Sequence, residues 1–352
     1  MKNQIELDYI IVGCGLGGIN FCEKLIETNK SFIVYDNNSQ KSSVVAGGLY
    51  NPVILKRFTS VWKNKEQLDL ALPIYKNIEE RLNTKLNHKI PVYRKFTSIE
   101  EQNNWYAASD KPNLSPLLSS GIHENTNECV DATFGMGEVL NTGRINTELL
   151  VKNYRKFLKE TQRLISNDFD YDSLEIKENY LCYKGRKAKR IVFAEGFGLK
   201  QNPFFKELPL TGVKGELLTI HAPDLKLDFV LKSSVFIIPI AKDLYRIGST
   251  YDWKDKTNTI TEKAKEELLN KLKTLIKCDY EVIDQAAGIR PTTKDRRPLV
   301  GEHKNYKNVY VLNGLGTRGV MIGPYVANEL YNYIEHNKTL NAEVDIKRFT
   351  TK

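Results

Sequence analysis

The sequence predicts an α/β chain in which a unit built on a parallel sheet is interleaved with an α+β unit whose sheet is mostly antiparallel. Three observations lead there. An apolar run ending in glycines opens the pattern, and an amphipathic stretch plus a second apolar run follow it within about 30 residues. The middle of the chain then alternates short β-rich runs with turn signals.

Asp8-Tyr9-Ile10-Ile11-Val12 is nearly all apolar and β-branched, as a strand buried on both faces reads. Leu16 to Asn29 spaces Ile19, Cys22, Leu25 and Ile26 at helical intervals, and Ser31 to Asp36 is a second buried strand that stops at an acid. Together they make a βαβ unit. Asn64 to Leu82 and Asn146 to Leu164 read as amphipathic helices, as does Thr261 to Ile276, with Ala264, Leu268, Leu269, Leu272, Leu275 and Ile276 on one face. Strands are expected at Arg190 to Ala194, Gly215 to His221, Val235 to Ile240, Leu244 to Ser249, Tyr280 to Asp284 and Val309 to Leu312. Turn residues between them, as at Ala241-Lys242-Asp243, predict an antiparallel meander. A helix from about Pro324 to His336 returns to buried patterning. No repeat, low-complexity linker or heptad run intervenes, so the two units are expected to interleave rather than hang on a tether.

Gly13-Cys14-Gly15-Leu16-Gly17-Gly18 fits G-x-G-x-x-G and lies between the first strand and its helix. Gly13 makes the turn, Gly15 lets amides at the start of the Leu16 helix approach a pyrophosphate, and Gly18 lets helix and strand pack closely. Asp36, 18 residues past Gly18 and followed by Asn37, is placed to accept both ribose hydroxyls of a dinucleotide. Two further small-residue stretches point to FAD rather than NAD. Ser42 to Pro52, with Ser43, Ala46, Gly47, Gly48 and Leu49, suits backbone lying flat against a bulky ring. Asn313 to Val320, with Gly314, Gly316, Thr317, Arg318, Gly319 and Val320, precedes the last helix, whose amides stabilise negative charge on a reduced flavin. The reading is a Rossmann-like FAD-binding domain over 1–85, 142–212 and 286–345, and a substrate domain over 86–141 and 213–285.

Lys plus Arg number 52 against 43 Asp plus Glu, and the net charge of +9 favours anionic partners: nucleotides, carboxylates or nucleic acid. The excess is scattered, and its densest patch, Lys184 to Arg190, reads as a solvated hairpin turn. Five cysteines, never in a C-x-x-C arrangement, argue against a disulfide framework or a zinc site. None of the five histidines sits in a nucleophile or metal arrangement, and no metal is expected. The first residues show no apolar leader, and no window approaches about 18 consecutive apolar residues. A cytoplasmic protein without membrane contact is expected.

Gly288-Ile289-Arg290-Pro291-Thr292-Thr293-Lys294-Asp295-Arg296-Arg297-Pro298-Leu299-Val300-Gly301 matches "G-x-R-P-x-x-x-D-x-x-P-x-x-G", and Gly314 to Gly319 forms a second motif. Weaker ones are Ala194-Glu195-Gly196, Val213-Lys214-Gly215-Glu216, and Ile238-Pro239 with Ile247-Gly248-Ser249-Thr250. In this order they resemble the D-amino-acid oxidase superfamily of flavoproteins, which includes glycine oxidase, sarcosine oxidase and the oxidase half of a bifunctional enzyme that modifies tRNA wobble uridine. The resemblance implies a flavin ring between Ala46–Asn51 and Gly314–Val320, a cofactor contact at Gly196, and substrate under the antiparallel sheet. It implies that Arg290, beside the flavin, clamps the substrate carboxylate, which suits a permanently charged bidentate donor. The alternative for Arg290 is an ion pair with Asp295. Three positions depart from the family. Phe236 stands where amino-acid oxidases often have a tyrosine, Thr317 stands opposite the second arginine of glycine oxidase with Arg318 one residue on, and Glu195 replaces a small residue. No cysteine stands where sarcosine oxidases attach FAD, so a noncovalent flavin is implied.

The expected reaction is hydride transfer from a carbon bearing an amine to flavin N5, followed by imine hydrolysis and reoxidation by oxygen to hydrogen peroxide. The substrate expected is a small amine or amino acid, carboxylated and glycine- or sarcosine-like. Tyr50 and Arg318 are candidate cleft residues beside Arg290, and Lys56 and Arg57 follow the same loop. A second reading has a carboxymethylaminomethyl group on tRNA as substrate, held by the positive surface; the scattered basic residues rank it below the free small molecule. A third reading is a quiet FAD-binding subunit of a larger dehydrogenase.

Overall fold

The computed structural model describes residues 6–349. Residues 1–5, read above for a leader, lie outside the described residues.

Glu6–Val12 pairs in parallel with Phe32–Tyr35 on one side and Arg186–Phe193 on the other, and Leu164–Ile165 and Val309–Asn313 extend the parallel set outward. Alternate residues go to opposite faces. Tyr9 and Ile11 enter a core shared with the helices Leu16–Glu27, Asn64–Leu82, Thr147–Glu160 and Gly319–His336. Ile10 and Val12 enter a second core with Leu181, Tyr183, Leu199 and Phe205. Burial on both faces is why these strands read as continuous apolar runs. Lys184 and Gly185 take positive φ (44° and 77°) in the turn between Leu181–Tyr183 and Arg186–Phe193, so the basic patch is a hairpin as expected.

The second large sheet runs Glu281–Thr293, Leu210–His221, Leu244–Gly248, Phe236–Ala241, Val230–Lys232, Val92–Lys95, Met136–Val139, Leu118–His123. All its pairings are antiparallel except Val230–Lys232 with Val92–Lys95. One face packs under the Glu262–Leu272 helix through Leu218, Ile220, Ile237, Ile247, Leu268 and Leu272. The opposite face carries Arg290, Gly288, Gly215, Leu217, Gly248 and Phe236, by the pairings Val213↔Arg290, Gly215↔Gly288, Leu217↔Gly248 and Phe236↔Gly248. The strands Leu210–His221 and Glu281–Thr293 run through the boundaries expected at 212/213 and 285/286, so the two units share them.

Several elements differ from the sequence reading. The strand expected over Tyr280 to Asp284 extends to Thr293, because it is the sheet's edge strand and Pro291 there forfeits no ladder bond. The last helix starts at Gly319, not Pro324: the glycine loop turns straight into it, and the proline sits inside its second turn. The helix expected to Leu164 stops at Glu160, since Gln162 takes φ 56° and Leu164–Ile165 joins the parallel sheet. Thr261 caps its helix through Ala264 N, but Leu275 and Ile276 leave it: Leu275 O accepts from Asp131 N and Ile276 bridges Val130.

Candidate active site

Three loops converge on the start of the Leu16–Glu27 helix. Gly13 holds φ 104°, where a Cβ would stand 2.4 Å from Ala194 O, and a Cβ on Gly18 would stand 2.0 Å from Gly13 O. Both glycines are therefore required by the crossing of helix and strands. The second loop reaches the same helix through Ser43, whose Oγ accepts from Leu16 N at 3.1 Å. The third packs Leu315 against Gly17, and a Cβ on Gly319 would meet Leu16 Cδ1 at 2.9 Å. It meets the second loop where Arg318 Nη1 donates to Asn51 O at 3.4 Å.

The second loop is held from one side. Thr147 Oγ1 donates to Ala46 O at 3.1 Å, Arg144 Nε to Gly47 O at 3.2 Å, and Ile145 N to Gly48 O at 2.9 Å. Gly48 has φ 74°, and a Cβ there would stand 1.9 Å from Ile145 O. With the carbonyls so engaged, the amides of Gly47 and Gly48 have no partner among the described residues, nor do those of Gly319 and Val320 at the last helix start. Free amides on two facing small-residue loops, and a third set at the Leu16 helix, are what a flavin edge and a pyrophosphate require; these residues fit FAD.

At the ribose end, Asp36 accepts from Cys14 N at 2.6 Å and from Asn38 N at 2.8 Å, and pairs with Arg155 of the Thr147–Glu160 helix. Asn37 Nδ2 donates to Asp168 at 2.5 Å. Gly196 takes φ 58°, and its carbonyl accepts from Asn313 Nδ2 at 2.9 Å, tying the third loop to the Ala194–Gly196 turn. Beside it, Glu195 accepts from Tyr171 and, at 2.7 Å, from Asn202. Burial lifts its carboxyl to about 7 against the pull of those two bonds.

Arg290 stands on the cleft face of the antiparallel sheet. Nη2 donates to Ser249 Oγ at 2.7 Å and Nη1 to Thr250 O at 3.3 Å, while Cζ lies 4.6 Å from the Tyr251 ring centroid. A Cβ on Gly215 would stand 1.9 Å from Nη2, so that glycine makes room for the guanidinium. The ion pair considered with Asp295 does not form, because Asp295 pairs with Arg348 at 2.9 Å. Arg290 has no carboxylate partner among the described residues, and burial lowers its pKa, opposed by Tyr251. Burial also lowers Arg318, again opposed by Tyr251 and reinforced by Arg296. One exposed tyrosine thus sits in the field of both arginines.

Tyr50 is corrected. It is 4% exposed in the helical core, and its hydroxyl donates to Asn87 at 3.0 Å. Its strand, Leu49–Tyr50, pairs with Gly143–Ile145, and the alternation turns Tyr50 inward. Val320 is likewise a core side chain and Leu49 a packing one, so only their backbones are open to a ligand. Thr317 is exposed. The residues that sequence reasoning missed are Tyr251, Ser249, Arg155 and Arg144. Of these, Ser249 lay within the weak Ile247–Thr250 motif without a role assigned to it, and Arg144 left a signal as a lone charge in the short run Gly143-Arg144-Ile145.

No helix among the described residues is long and apolar enough to cross a membrane, and no group of three or more His, Cys, Asp or Glu among them could hold a metal ion. A family model described as DAO, FAD dependent oxidoreductase, matches residues 8–332. The tRNA 5-methylaminomethyl-2-thiouridine biosynthesis bifunctional protein MnmC of Marinobacter nauticus is 21% identical over 92% of this chain and 55% of its own length. Glycine oxidase of Bacillus subtilis is 28% identical over 44% of this chain and 43% of its own. The chain thus spans about half the length of these curated relatives. Among solved structures, glycine oxidase from Geobacillus kaustophilus superposes with a TM-score of 0.77 at 17% identity, covering 95% of this chain and 96% of that one, a likeness of fold.

Proposed function

The chain belongs to the DAO family of FAD-dependent oxidoreductases, and from that premise we propose that it oxidises the C–N bond of a carboxylated amine. The observation that carries the reading is Arg290: a half-buried guanidinium on the cleft face, cleared by Gly215 and paired with no acid among the described residues. Bound FAD supplies the hydride acceptor, with oxygen as its reoxidant.

The chain's own residues do the rest. Arg290 takes the substrate carboxylate as a bidentate donor and orients the α carbon. Phe236 and Ile238, which approach Gly47, wall the cleft against water. Phe236 offers no hydroxyl to hold the substrate, so the amine enters the water-poor cleft already neutral, and the imine hydrolyses after release. The free amides of Gly47, Gly48, Gly319 and Val320 would hold the flavin edge, those of Gly15, Gly17 and Gly18 the pyrophosphate, and Asp36 the ribose.

A second reading, an aminomethyl group carried on tRNA, is favoured by the likeness to the bifunctional protein over 92% of this chain. Tyr251, 60% exposed with its ring 4.6 Å from the Arg290 guanidinium, is a surface on which a base can stack. An anaerobic screen of the holoenzyme against glycine, sarcosine, other small amines and bulk tRNA separates the readings by which one bleaches the flavin. If none does, the amine chemistry is wrong. Arg290→Met is expected to raise KM for a carboxylated substrate at least about a hundredfold, as loss of a charged bidentate contact does, while FAD stays bound. An unchanged KM removes the clamp.

A further inference from the structure

Arg144 is 5% exposed, yet its guanidinium makes no ion pair among the described residues. Nε is spent on Gly47 O at 3.2 Å, and neither Nη has a hydrogen-bond partner among the described residues. The charges that act on it are the like charge of Arg246 and Glu148, which pair with each other at 3.3 Å, Glu148 being 57% exposed. Burial first, then Arg246, bring Arg144 down to about 10, with Glu148 opposing, so it stays a cation at neutral pH. Its field reaches the strand beside it: His88, directly across the pairing from Arg144, is held below its ordinary value, by burial first and by Arg144 second.

A buried, uncompensated cation is costly, and a packing role alone is met more cheaply by an apolar side chain. What distinguishes this position is the loop it grips: Arg144 donates to the carbonyl of Gly47, whose own amide has no partner among the described residues. We infer that Arg144 is a fixed positive charge set behind the second loop, and that it raises the electron affinity of the FAD seated there. This rests on the reading that the flavin ring lies against Ala46–Asn51. Reduction places negative charge on the ring, and a cation held in a water-poor wall stabilises that charge without having to reorganise. Arg144 is in this sense a tuning residue, with no contact to substrate claimed for it.

The test uses the holoenzyme of wild type, Arg144→Met and Arg144→Lys. FAD stoichiometry is read from absorbance, the flavin midpoint potential by equilibration with a reference dye, and sulfite affinity from flavin bleaching. Arg144→Met is expected to retain FAD, shift the potential to more negative values and weaken sulfite binding at least about tenfold, and Arg144→Lys to fall between. An Arg144→Met holoenzyme with wild-type potential and sulfite affinity overturns the inference and leaves the seating of FAD intact. A wild-type chain that takes up no FAD overturns both. Should Arg144→Met fail to fold, Glu148→Gln removes the carboxylate that offsets the arginine pair; the potential then moves positive, and no movement counts against Arg144.

Discussion

Glu195 stands against Gly13, where this family usually has a small residue, and the structure gives it work. Its carboxyl joins Tyr171 and Asn202 and so fixes the turn that holds Gly196 and Asn313. Burial raises its pKa from 4.5 to about 7. A carboxyl whose folded pKa is raised contributes stability that is full below its unfolded pKa and is lost as pH climbs through the folded value. Between pH 5 and 8 the wild type should therefore lose about 2 kcal/mol from this group, after discounting for its partial exposure. Glu195→Gln should flatten that slope in urea midpoints taken at both pH values, and an equal slope in the two proteins excludes Glu195 as its source. At this scale the sequence was readable where a motif fixed the residue, as at Arg290 and Gly13, and silent where the partner was remote. Tyr251 lies 39 positions from Arg290 in the sequence, and nothing in its own neighbourhood marks it.

Among the elements, the segment from Ser249 to Thr261 matters most, because it carries the groups that hold Arg290. It is strapped to the sheet by the mutual bonds of Lys214 and Asp252 backbones, by Thr250 with Glu216, and by Thr261 with the Glu216 carboxylate. At its centre Lys214, 1% exposed, donates to Asp255 at 2.6 Å and lies 3.3 Å from Glu216. Removing one member of a buried ion cluster leaves the rest uncompensated. Lys214→Met should thus cost about 3 kcal/mol in urea unfolding and loosen the surroundings of Arg290 along with it. A midpoint within error of wild type shows that the strap stands without the lysine. The sequence reading found Val213–Glu216 only as a weak motif, since Asp255 sits in a stretch with no periodicity. It also passed over the Ile99–Ser109 helix, which buries only Trp105, Ala108 and Ser109 and so lacks an apolar stripe. Strongly periodic elements, such as Asn64–Leu82, matched to the residue.

For the molecule as a whole, the sequence conveyed the two-sheet plan, and the boundaries expected at 212/213 and 285/286 fall within Leu210–His221 and Glu281–Thr293, which pair with each other along their length. Gly288, in the second of these strands, packs against Ser42 at the head of the second small-residue loop, with 3.2 Å from a Cβ there to Ser42 Cα. The antiparallel sheet is thereby packed onto the loop that bonds to the start of the Leu16–Glu27 helix. Unfolding is expected to be one cooperative transition rather than two, and an FAD held between the loops and the Leu16–Glu27 helix would raise it as a unit. Ligand at a hundredfold excess over its Kd adds about 2.7 kcal/mol to the native state. Gly18→Val, which forces a Cβ into Gly13 O at 2.0 Å, should abolish that FAD-dependent gain along with flavin retention. The measurement is thermal unfolding followed by circular dichroism and flavin fluorescence together. Coincident curves that shift with FAD support the coupled plan; a flavin signal that melts well before the backbone signal would show that the cofactor unit opens alone, against the shared strands.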